Sequence, residues 1–359
     1  MADYEALLSI DPYSLSRGEK RTALTDILLS MTKEHASKCE PYRKILNATG
    51  FDAGQVHGLE DIPFLPVPLF KSLELRSIAK EDLFKTMTSS GTTGQAVSKI
   101  FLDRETAMRQ QKVLVKIVSS FTGAARLPML IIDSPSVIKN RLMFSARGAG
   151  ILGFSIFCSD RTYALDDEMR IDYDAIEAFL ARHQGQRILL FGFTFMIWQY
   201  FYKELLKSER KLDLSGGVLI HGGGWKKLAN EAVSPEEFKA RLDSVCGLND
   251  IHDYYGMVEQ TGCVYMQCER GHLHASVFSD VIIRRGADFS VSDIGEKGIV
   301  QVVSVLPKSY PGHSLLTQDE GVILGEDDCP CGRKGKYFKI FGRLKNAEVR
   351  GCSDTFEKK

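Results

Sequence analysis

Thr88-Ser89-Ser90-Gly91-Thr92-Thr93-Gly94, followed five residues on by Lys99, is the stretch on which the reading of this chain turns. Two glycines let the backbone bend tightly and present N–H groups, five hydroxyls add donors, and Lys99 can set a cation beside them. That combination suits a polyphosphate. It is not a Walker A loop, because Gly-x-x-x-x-Gly-Lys-Ser/Thr is absent. Phe84-Lys-Thr-Met-Thr before it and Ser98-Lys-Ile-Phe-Leu after it read as strands, so a polar hairpin turn is the competing interpretation.

Working outward, Asp103 is placed to cap a helix running to about Phe121. Met129-Leu-Ile-Ile-Asp, Ile188-Leu-Leu-Phe-Gly and Gly217-Val-Leu-Ile-His then alternate with amphipathic segments, Phe195 to Lys207 and Pro235 to Val245 among them. Short apolar runs between helical patterns predict a parallel, helix-covered sheet, an α/β fold. Upstream, residues 1–60 form a helical lead-in that ends in a connector carrying Pro63, Pro66 and Pro68. Beyond Phe278 the texture changes to Val281-Ile-Ile-Arg, Gly298-Ile-Val-Gln-Val-Val and Gly321-Val-Ile-Leu, a β-rich subdomain over 278–342.

Composition narrows the function. The 359 residues carry 46 Lys+Arg against 46 Asp+Glu, and that zero net charge argues against a nucleic-acid binder, which needs a basic field. The longest apolar run, Ile188 to Tyr202, is too short for a bilayer span of about 20 residues. The acidic start Met1-Ala2-Asp3-Tyr4-Glu5 does not read as a signal peptide. A cytoplasmic protein without an integral membrane segment is expected, its eight cysteines serving as thiols or metal ligands.

Two further elements complete the pattern. His221-Gly222-Gly223-Gly224-Trp225 follows a strand, at the end where α/β sheets bind ligands. Its glycines clear space for a flat ligand on which Trp225 can pack; a tight turn with a buried Trp is the alternative. Asp253-Tyr254-Tyr255-Gly256-Met257-Val258-Glu259 comes next, then Thr317-Gln318-Asp319 and Gly342-Arg343-Leu344-Lys345. Five motifs in this order resemble the adenylate-forming superfamily of acyl-CoA synthetases, luciferases and adenylation domains. Within it the chain is most similar to the acyl-protein synthetases of bacterial luminescence and, behind them, to phenylacetate–CoA ligases. Gly222-Gly-Gly-Trp225-Lys226, the lead-in Asp61-Ile62-Pro63-Phe64-Leu65-Pro66 before Phe70-Lys71, and Gly351-Cys352 near the end carry that likeness.

The resemblance implies that Ser89, Ser90, Gly91, Thr92, Thr93, Gly94 and Lys99 hold the phosphates of ATP. Gly222, Gly223, Gly224 and Trp225, with Tyr254, Tyr255 and Gly256, would frame the adenine. Glu259 would serve Mg²⁺, Asp319 the ribose hydroxyls, and Arg343 would mark a hinge. Val258 departs from the family's usual Thr, so a phosphate hydroxyl contact is missing, with Thr261 as the candidate to replace it. The implied reaction activates a fatty acid as acyl-AMP and passes it to a cysteine, Cys352, with Lys99 and Glu259 in the first step. A reductase partner would receive the acyl group. A CoA ligase is the alternative, and a non-catalytic nucleotide- and zinc-binding relative the second. Residues 1–342 would form the core and 343–359 a hinge remnant and tail. Only sixteen residues follow Arg343, so the C-terminal lid of CoA ligases is expected to be absent or reduced to that tail.

For the acyl chain, Phe191-Gly-Phe193-Thr-Phe195-Met196-Ile197-Trp198 offers a hydrophobic lining with room at Gly192, or plain core. The cysteines add a metal hypothesis. Cys329-Pro-Cys331 is a tight chelating pair, and Cys268-Glu-Arg-Gly-His272-Leu-His274 supplies a thiol and two imidazoles. Three Cys and one His close a tetrahedral structural Zn²⁺ site, and the family likeness favours His274 as the imidazole. Buried thiols and pocket histidines are the alternative.

Overall fold

Some elements carry the reasons for their ends in a few residues of their own. In the computed structural model, which describes residues 4–89, 97–139 and 146–344, contacts group the chain into two compact units. The first draws on residues 1–117, 256–266 and 272–349, and the second is built around 118–255.

In the second unit, five parallel strands stand in the spatial order Cys158–Tyr163, Leu127–Ile132, Ile188–Phe193, Gly217–Gly222, Asp250–Tyr255. Two of the interior strands, Ile188–Phe193 and Gly217–Gly222, are buried along their whole length, which is why they read as unbroken apolar runs rather than alternations. One face, with Leu130, Leu190 and Leu219, packs on Phe179, Trp198, Phe201, Phe238 and Leu242 from three helices. Of these helices, Pro235–Cys246 shows the local logic. Ser234 Oγ accepts from Glu237 N–H (3.2 Å), Pro235 sits in the first turn, and Gly247 closes the end with φ +73°. Phe195–Lys207, expected as one helix, contains a π-helical stretch over Ile197–Tyr202 that keeps Trp198, Phe201 and Tyr202 all in the core.

The first unit holds helices Tyr4–Ser9, Arg17–Lys38 and Glu40–Ala48, and an antiparallel run Ser279–Arg284, Gly298–Ser304, Ser314–Glu326, Lys336–Arg343. Leu273–His274 joins its far edge and Leu65–Pro66 pairs in parallel with the third strand. The strands flanking the Gly/Thr-rich stretch do pair: Lys85–Thr88 and Lys99–Leu102 form an antiparallel hairpin, with Thr88 opposite Lys99. Asp103 caps the next helix, Arg104–Thr122, its Oδ1 accepting from Thr106 N–H at 2.7 Å.

Two buried histidines pin the loop 309–313. His313 Nε2 lies 2.8 Å from Thr32 Oγ1, whose proton goes to Leu28 O, so the imidazole donates. His35 stacks on His313 at 5.1 Å and donates from Nε2 to Pro307 O. Burial pushes both rings below the usual imidazole range, His35 to about 4, and keeps this pair neutral.

Candidate functional site

The carboxyl ends of the parallel strands in the second unit carry the Gly-rich turn. Gly222 and Tyr254 are register partners, and a Cβ at 222 would lie 2.8 Å from the Tyr254 ring. Gly223 has φ +80°, and a side chain there would run into the Phe193 ring. Phe154 packs on Tyr254 (5.2 Å) and on Phe191 (4.5 Å). The glycine turn therefore lies flat against aromatic rings, and two different constraints demand glycine. Gly223→Ala meets both a left-handed backbone and a steric block, so a stability loss of about 2–3 kcal/mol is expected, read as a lower denaturant midpoint. Trp225 is half-buried and packs edge-on against Trp198 (5.0 Å) and Phe238 (6.0 Å), so the core engages its ring.

Beside the turn runs a polar row that the sequence reading passed over. Thr194 donates its hydroxyl proton to Gly222 O (3.1 Å) and faces His221 Nδ1 at 3.0 Å, so the imidazole is the donor in that second contact. Burial pushes His221 down to about 3. Asp253, 3.7 Å from His221, keeps 41% of its side-chain surface, yet burial by the surrounding protein pushes its carboxyl up to about 7. These residues could have been found as the polar positions that interrupt apolar runs at strand ends.

The Phe191–Trp198 segment packs as core. Phe191 and Ile197 are fully buried, and a Cβ on Gly192 would meet Ile132 and Ile197 at 3.0–3.1 Å. The room expected at Gly192 is taken by close packing.

In the first unit, Ser89 locks the start of the phosphate-loop candidate. Its N–H donates to Ser98 O (3.1 Å) and its Oγ accepts from Ser98 N–H (2.9 Å). Lys99 is exposed on the facing strand. Ser90, Gly91, Thr92, Thr93 and Gly94 lie outside the described residues, as does Cys352. Tyr255 ends its strand, Gly256 follows, and Glu259 sits on a short 3-10 turn with its side chain fully buried. Thr261 donates its hydroxyl to Val258 O (2.8 Å), which closes that turn and engages the group expected to replace the missing Thr. Asp319 and Arg343 face each other across the strand pair Ser314–Glu326 and Lys336–Arg343.

Within the first unit, His274, Cys329 and Cys331 come together: a ligand atom of each lies within 4.8 Å of the others, with Cys331 Sγ 3.4 Å from His274 Nε2. Two matching turns present the thiols: Gly271 N–H donates to Cys268 O and Gly332 N–H to Cys329 O, both at 2.9 Å, with φ of +78° and +84°. Two thiols and one imidazole at this spacing fit three corners of a tetrahedral zinc site. His272 lies next to the set, with Nδ1 3.3 Å from Cys329 Sγ and its ring stacked on Tyr337.

The fold is that of adenylate-forming ligases. 2-Hydroxyisobutyryl-CoA ligase in an open conformation aligns with a TM-score of 0.70 over 93% of this chain and 72% of its own length, at 14% identity. The family profile for acyl-protein synthetase, LuxE, matches residues 2–359, and the chain belongs to that family: it is a ligase. Long-chain-fatty-acid–luciferin-component ligases are similar, that of Aliivibrio fischeri at 24% identity over 89% of this chain and 84% of the relative. The Vibrio harveyi enzyme is 22% identical over 95% and 89%. No helix among the described residues is long and apolar enough to cross a membrane.

Proposed function

We infer that this ligase uses ATP to activate a long-chain fatty acid and load it onto its own Cys352, for delivery to a reductase partner in the cytoplasm. The observation that carries this reading is the family match along the whole chain, residues 2–359. In the first half-reaction the fatty-acid carboxylate attacks the α-phosphorus, the bond to the bridging oxygen breaks, and pyrophosphate leaves. Residues 89–94 and Lys99 hold the phosphates, and Gly222–Gly224 with Tyr254, Tyr255 and Gly256 frame the adenine. Asp319 takes the ribose hydroxyls, and Arg343, opposite it across the strand pair, marks the hinge. In the second half-reaction the Cys352 thiolate attacks the acyl carbon, forms the thioester and releases AMP.

Glu259 fits a Mg²⁺ ligand by charge: a carboxylate withdrawn from water is stabilised by a cation, and Mg²⁺ takes one or two carboxylates plus phosphate oxygens. Bound there, Mg²⁺ would neutralise the phosphates. Zn²⁺ would be held by Cys268, His274, Cys329 and Cys331 as a structural ion. The test is ATP–pyrophosphate exchange. Long-chain fatty acids are expected to drive it and short or aryl acids to leave it near background; exchange with no carboxylic acid tried would leave a nucleotide- and zinc-binding protein. A CoA-dependent product without acylated protein would instead identify a CoA ligase.

A further inference from the structure

Glu259 stands on a turn that another part of the first unit holds from outside. Tyr310, fully buried, donates its hydroxyl proton to Glu259 O at 2.9 Å. Gln260 Nε2 donates to Gly312 O (2.9 Å) and Val302 O (3.2 Å), so consecutive residues of the turn are tied to one loop. The fit is close: a Cβ on Gly312 would strike the Tyr310 ring and lie 3.0 Å from Glu259 O. On the turn's other side, a Cβ on Gly262 would lie 2.5 Å from Gln110 O, so the helix backbone approaches as near as glycine permits.

The loop itself is anchored without help from Glu259. Ser309 donates its hydroxyl to Phe101 O (2.8 Å), and its own carbonyl accepts from Ser77 N–H (2.8 Å). His313 is bonded to Thr32, and Ser304 N–H donates to His313 O (2.8 Å). Tyr310 also sets its ring edge-on to Phe70 at 6.2 Å. Ser309–His313 is thus a fixed post to which the Glu259 turn is strapped.

We propose that Tyr310 is a positioning residue for Glu259, fixing its backbone so that the carboxylate is already in place when Mg²⁺ and ATP bind. Gln260 is the second strap. This rests on the reading of Glu259 as the Mg²⁺ ligand. A carboxylate held in place beforehand does not have to be ordered by the incoming ion, so affinity is gained without any new contact to it.

The experiment is a Mn²⁺ titration followed by electron paramagnetic resonance, on the full chain with a non-hydrolysable ATP analogue. Tyr310→Phe keeps the ring against Phe70 and removes one hydrogen bond. It is expected to weaken Mn²⁺ about 3- to 10-fold, the range one such bond spans, while analogue binding without metal stays at the wild-type value. Gln260→Met, similar in volume but unable to donate, is expected to do the same and serves if Tyr310→Phe fails to fold. Glu259→Gln separates the two ideas. Wild-type Mn²⁺ affinity in Glu259→Gln removes the metal-ligand reading. A large loss there, with wild-type affinity in both strap variants, overturns the positioning role alone.

Discussion

Cys352→Ser is expected to abolish hydroxylamine-labile labelling of the protein by radioactive fatty acid and ATP, while pyrophosphate exchange stays within about twofold of wild type. The split follows from the chemistry: adenylation needs no thiol, and a serine hydroxyl is not ionised enough near neutral pH to replace one. Cys39, Cys158, Cys246 and Cys263 compete poorly for the acyl group. Burial pushes the Cys246 thiol up to about 11 and raises Cys39 and Cys263, and Cys158 is buried too. Label that persists in Cys352→Ser, and maps by peptide analysis to another cysteine, would relocate the acyl carrier.

Cys329→Ser is expected to lower zinc content from about one ion per chain toward zero and to destabilise the protein. A bound structural zinc is worth on the order of 10 kcal/mol in isolated zinc-finger peptides. Even a third of that lowers the melting temperature by about 7–13 °C in a unit of this size. The loss would spread to the N-terminal lead-in, because its backbone grips the segments that carry the ligands. Val277 N–H donates to Pro12 O (2.8 Å), Lys334 N–H to Tyr13 O (3.0 Å), and the Tyr13 ring stands edge-on to His274 at 6.0 Å. Buried Lys20 also donates to Ala275 O at 3.0 Å. Hydrogen exchange at the Val277 and Lys334 amides is therefore expected to quicken when zinc is lost. Purified protein that holds no zinc, with wild-type melting in Cys329→Ser, would leave the four residues as a thiol cluster.

Much of the local structure was legible because its causes are local. Ser234-Pro235 and Gly247 mark the ends of one helix through caps a few residues long, and Asp103 opens another in the same way. The runs 188–193 and 217–222 announce parallel strands because burial on both faces leaves no polar alternation. The Cys-x-Cys-Gly turn was visible, but its approach to His274 was not, since His274 and Cys329 lie 55 positions apart and no periodicity spans such a gap. Gly192 shows the opposite limit. A missing side chain in the sequence is compatible with open space or with close approach, and Ile132 and Ile197 make it the latter.

By itself the sequence determined the order of the motifs, the class of fold and the chemistry they can perform, because these depend on residue types at short spacing. Only the tertiary structure decided how those residues are held. It set Gly222 against Tyr254 and Gly223 against Phe193, strapped the Glu259 turn to Tyr310 and Gly312, and brought His274 to Cys329 and Cys331. Each of these is a contact between segments far apart in the chain, whose geometry comes from strand register and core packing rather than from any local preference.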